Sequence, residues 1–62
     1  MKIKHSDLIN IAADMAGTVR QLAKDVGILE ANLHRWNLNN RIPKKENYDK
    51  LVEYVGRSII DG

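Results

Sequence analysis

Apolar residues recur at helical spacing almost from end to end of this chain, and Gly17, Gly27 and Pro43 cut that pattern into segments. No segment alternates with the period of two that a half-buried strand requires. The expected fold is therefore all-α, a small bundle of four to five helices forming a single domain over residues 1–62. Ser6 reads as the N-cap of a first helix ending at Ala16, with Leu8, Ile11, Ala12 and Met15 as its apolar stripe. Thr18 followed three residues later by Gln21 reads as a capping box. The second helix then spans about residues 19–26, buries Leu22, Ala23 and Val26, and stops at Gly27. A third helix is expected over about residues 29–37, with Leu29, Leu33 and Trp36 on one face and Ala31, His34 and Arg35 on the other. If Leu29 is its N-cap, Ile28 and Leu33 occupy the two positions of a hydrophobic staple.

The run Asn37-Leu38-Asn39-Asn40-Arg41 reads as a loop, because asparagine favours local side-chain bonds over helix. Pro43 suits the first position of a fourth helix, whose stripe is Tyr48, Leu51, Val52 and Val55 and whose end is Gly56. Residues 57–62 stay open as helix or tail. Ile59 and Ile60 there either pack back on the core or meet a second subunit, so they are the candidate dimer contacts.

A chain of 62 residues has room for one marginal core, because domains near this size bury only roughly 60% of their unfolded surface. With no cysteine there is neither a disulfide framework nor a thiolate ligand for zinc. His5 and His34 stand apart, without the helical pairing of a metal site, and His5 reads as an unimportant terminal residue. No metal or cofactor is expected. No apolar run approaches the roughly 20 residues of a membrane span, and no signal-peptide core follows the charged start Met1-Lys2-Ile3-Lys4. The expectation is a soluble cytoplasmic protein without a membrane partner. Ser6, Thr18 and Ser58 lack a spaced histidine and acid, and there is no phosphate-binding glycine loop, so no enzyme is expected.

Charge is more informative by position than by sum. The formal net charge is only +2, yet Ala31 to Lys45 holds no acid while carrying Arg35, Arg41, Lys44 and Lys45. Such a block is either a solvated basic face or an anion-binding surface. Of these four, Arg35 falls on the outward side of the third helix. Ala23 is small enough for the third helix to cross closely over the second, Gly27 makes the turn, and Ile28 plugs the corner. Leu33 and Trp36 then anchor the third helix so that its other face stands outward, as a helix entering a major groove must.

The segment Gln21-Leu22-Ala23-Lys24-Asp25-Val26-Gly27-Ile28, followed by Leu33 and Trp36, resembles the lambda-repressor-like helix-turn-helix family. Within it the chain is most similar to phage Cro-type repressors, and Ile42-Pro43-Lys44-Lys45 with Tyr48 continues the likeness over roughly residues 6–55. Leu29 departs from the Ser or Thr common at the start of the family's recognition helix, so no polar contact is assigned to it. The resemblance implies a sequence-specific DNA-binding transcriptional repressor, binding double-stranded operator DNA in a bacterial host as a weak homodimer. By position it makes Glu30, Ala31, Asn32, His34 and Arg35 the base-contacting set, with Asn32 at the edge. Thr18, Gln21, Asn40, Arg41, Lys44 and Lys45 become the phosphate contacts. An antitoxin or excisionase using the same motif is one alternative. A protein-interaction module, which should present an apolar outward face on the third helix, is another.

Overall fold

The computed structural model describes residues 3–61, with side chains described as far as Arg57. It contains four helices and, among the described residues, no strand: α1 (His5–Ala16), α2 (Val19–Val26), α3 (Glu30–Asn39) and α4 (Lys45–Asp61). The chain is thus a small all-α bundle. Each helix contributes one large, fully buried aliphatic side chain to a common centre, Ile9, Leu22, Leu33 and Leu51 in turn. Leu8, Ala12, Ala13, Ile28, Trp36 and Ile42 complete the core, and Tyr48, Tyr54 and Val55 pack against its edge. Truncating any of the four central side chains to alanine costs about 2–5 kcal/mol. A domain of this size has a net stability on the order of 3–9 kcal/mol.

α1 packs against all three other helices, and its register differs from the expected one. The buried residues are Leu8, Ile9, Ala12 and Ala13, with Ala16 packed alongside, whereas Ile11 and Met15 are exposed. Ile9, Ala12, Ala13 and Ala16 form a second stripe of equal periodicity, and its three alanines let three neighbours approach closely. Nor is Ser6 the N-cap. The helix begins at His5, and the side chain of Lys4 at the cap position makes no capping bond. The Ser6 N–H instead donates to Asn40 Oδ1 at 3.0 Å.

At α2 the expected cap is present in half. Thr18 Oγ1 accepts the Gln21 N–H at 3.0 Å, but the Gln21 side chain turns away to Asp25 instead of returning to the Thr18 backbone. Gly27 lies at φ 71, ψ 33, left-handed space that costs a glycine little. Its N–H and that of Ile28 both donate to the Ala23 carbonyl, at 3.0 and 3.1 Å, closing the helix end.

α3 is longer than the expected 29–37. Leu29 caps it through its backbone alone, its carbonyl accepting from Asn32 and Leu33. Leu29 is 72% exposed and so does not share the buried face of Leu33 and Trp36; the cap position lies outside the helical turn and points its side chain off that face. Leu38 and Asn39, expected in a loop, are helical. Asn37 Nδ2 donates to Asn10 Oδ1 of α1 at 2.8 Å, so its amide has a partner across the interface and does not compete for its own backbone. Asn40 ends the helix at φ 53, ψ 42. Its N–H bonds the Asn37 carbonyl and the Arg41 N–H bonds the Trp36 carbonyl, the paired pattern of a Schellman stop with asparagine in the usual glycine place.

α4 starts at Lys45 instead of Pro43, because Lys44 adopts φ 65, which no right-handed helix contains. Asn47 Nδ2 donates to the Pro43 carbonyl at 3.0 Å across this entry. Of the expected stripe, Leu51 is buried, Tyr48 and Val55 are half-buried, and Val52 is exposed. Gly56 does not close α4, which runs to Asp61. Gly56 does not take the positive φ of the two stop glycines, Gly17 and Gly27, and a glycine within a helix costs only about 1 kcal/mol relative to alanine. The side chains of Ile59 and Ile60 lie outside the described residues.

Candidate nucleic-acid interface

The geometry of α3 follows from its two anchors. Leu33 is fully buried and Trp36 nearly so, which fixes the rotation of a ten-residue helix about 15 Å long. Glu30, Ala31, His34 and Arg35 are all exposed on the opposite side, and Asn32 is half-buried at the margin. Five of the residues singled out from sequence therefore share one helix, four of them on its outward face. Leu38 joins that face. One turn beyond His34 and 87% exposed, it was overlooked because its segment reads as loop.

The charges on this face differ in how free they are. His34 Nε2 and Glu30 Oε2 are 3.3 Å apart, so the two side chains satisfy each other along the helix. A Lys/Arg–carboxylate pair among the described residues joins Arg57 to Glu53. Arg35, Arg41, Lys44 and Lys45 have no carboxylate partner there. Arg41 and Lys44 are exposed in the connection between α3 and α4, and Lys45 is exposed at the first position of α4. The acid-free segment thus becomes a contiguous stretch of backbone running off the C-terminal end of α3.

The remaining candidates are more committed. Thr18 spends a lone pair on the Gln21 N–H but keeps its hydroxyl proton for an external acceptor. Gln21 Nε2 donates to Asp25 Oδ1 at 2.9 Å, leaving its second N–H free. Asn40 uses its carbonyl oxygen on α1 and retains its amide donors.

His5, taken from sequence as unimportant, is structural. Its Nδ1 accepts the Ile42 N–H at 2.7 Å, and its ring lies 5.0 Å from that of Tyr48. The accepting Nδ1 places the proton of the neutral ring on Nε2. This contact seats the 41–43 connection beneath α1 and buries Ile42. Tyr54 was also missed. Its hydroxyl donates to Asp25 Oδ2 at 2.8 Å, and that bond, helped by burial and the carboxylate charge, raises its pKa above the ordinary 10.0. Neither role has a local sequence signature, since each partner lies more than 25 residues away.

Among the described residues no three His, Asp or Glu side chains converge as metal ligands would. No helix there is long and apolar enough to cross a membrane. An open groove of about 210 Å³ between α2 and α4 is lined by Asp25, Val26, Lys50, Glu53, Tyr54 and Arg57, with charges of both signs.

The chain matches no family model, no curated protein and no solved structure.

Proposed function

We propose that the chain is a sequence-specific DNA-binding transcriptional repressor of the Cro type, reading the major groove with α3. The observation that carries this reading is the outward face of α3. It is held rigidly by Leu33 and Trp36, presents Arg35 with no acidic partner among the described residues, and continues into the exposed cations Arg41, Lys44 and Lys45. A helix about 10–12 Å across fits a groove about 12 Å wide. Arg35 is the residue for guanine O6 and N7, Glu30 accepts from a cytosine amino group, and Ala31 meets a thymine methyl. Leu38 extends the apolar part of that surface. Thr18, Gln21, Asn40, Arg41, Lys44 and Lys45 supply phosphate contacts that set register without carrying sequence. Two copies on a two-fold operator would place their α3 helices about 34–36 Å apart. No cofactor takes part.

The test is selection of bound duplexes from a random pool, followed by Arg35→Ala. Wild type should enrich a half-site containing guanine. The variant should fold normally and lose about 1–3 kcal/mol of discrimination at that base. Unchanged preference in the variant would remove Arg35 from the reading set.

Leu38 and Leu29, both largely exposed at the two ends of α3, favour a second reading as a protein-interaction module. The two readings separate on salt. Phosphate contacts weaken steeply as salt rises, whereas apolar docking does not.

A further inference from the structure

We propose that Tyr54 and Asp25 are positioning residues for Gln21, so that α4 sets the geometry of the phosphate-facing end of α2. The inference rests on the DNA-binding reading. Asp25 has one hydrogen bond on each carboxylate oxygen: Gln21 Nε2 donates to Oδ1 at 2.9 Å and the Tyr54 hydroxyl to Oδ2 at 2.8 Å. The three side chains form a continuous chain from α4, across α2, to the turn that begins at Thr18. Gln21 is itself exposed and would otherwise sample many rotamers. The carboxylate oxygen accepts one N–H of Gln21 Nε2 and so fixes the orientation of the amide group. The second N–H is thereby kept for an external acceptor, close in sequence to the Thr18 hydroxyl and to the first N–H groups of α2, which have no partner within the helix. Tyr54 in turn is packed against the core, which gives the chain a rigid origin. Gln21 and Asp25 are also an i, i+4 pair that supports α2 itself, so the positioning role is read from DNA affinity and the Gln21 amide, not from stability.

Tyr54→Phe is the discriminating variant, because it removes one hydroxyl, keeps the ring and changes no charge near DNA. Affinity for a short mixed-sequence duplex is measured at low salt in wild type, Tyr54→Phe, Gln21→Ala and the double variant. The Gln21 side-chain amide resonances of the free proteins are recorded alongside. Tyr54→Phe should shift those resonances and weaken binding about three- to tenfold, the worth of one pre-formed hydrogen bond. It should have no further effect once Gln21 is alanine. An equal loss in both backgrounds, or unmoved Gln21 resonances in the free protein, would overturn the positioning role and leave DNA binding standing. Wild type that shows no binding at low salt would overturn the DNA reading, and this inference with it.

Discussion

The Asn40 side-chain carbonyl accepts the backbone N–H of Ser6 at 3.0 Å, so the residue that ends α3 also caps α1. Asn40 holds left-handed backbone at φ 53 for the first task and aims its amide at α1 for the second. Asn40→Gly keeps the turn and loses the cap, for an expected cost of about 0.5–2 kcal/mol. Asn40→Ala loses the cap and adds about 1–2 kcal/mol of left-handed strain. Urea unfolding of the two variants should rank alanine below glycine. Equal midpoints would mean that the backbone conformation contributes nothing.

His5 supplies the acceptor for the Ile42 N–H, and Ile42 is buried beneath it. His5→Ala should cost about 1–3 kcal/mol, since the donor is left unpaired in a part-buried place. Amide exchange at Ile42 should accelerate by more than the global loss of stability accounts for. An Ile42 amide as protected as in wild type would show that the bond is dispensable.

Gly56 lies within α4, and a Cβ built on it would meet nothing within 4 Å. Gly56→Ala should therefore stabilise the fold by about 0.5–1 kcal/mol, through helix propensity and a less flexible unfolded chain. Thermal unfolding decides this, and a lowered midpoint would point to a contact made by that face of α4.

The raised pKa of Tyr54 has a sign in stability. Its folded-state pKa lies above the ordinary 10.0, because its hydroxyl is bonded to Asp25. Folding therefore favours the neutral phenol. That contribution is complete below pH 10.0 and is lost as pH climbs through the folded value. Unfolding free energy should fall more steeply above pH 10 in wild type than in Tyr54→Phe. Parallel curves would contradict the bond.

What the sequence made legible was mostly local. Thr18 before α2, Gly27 after it, and the buried pair Leu33 and Trp36 are each read from neighbours within a few residues. α1 illustrates the limit. Leu8-Ile11-Ala12-Met15 and Ile9-Ala12-Ala13-Ala16 are equally periodic, and only the close approach of three helices selects the one with more alanine. The asparagines of α3 mislead for the same reason. Asn37 favours a loop when it must bond its own backbone, and here it bonds α1 instead. His5 and Tyr54 carry their roles entirely through distant partners. On the outward face of α3, four of the five base-facing candidates emerge exposed and Asn32 at the margin, because the anchors that orient them were readable. Leu38 went unseen because the helix was expected to end before it.

The most direct measurement is a backbone amide NMR titration of the labelled protein with a short mixed-sequence duplex at two salt concentrations. The expected result is salt-sensitive shifts confined to residues 18–21 and 29–45, the start of α2, the whole of α3 and the basic connection. No shifts at low salt with the fold intact, or shifts insensitive to salt, would contradict the DNA-reading role of α3.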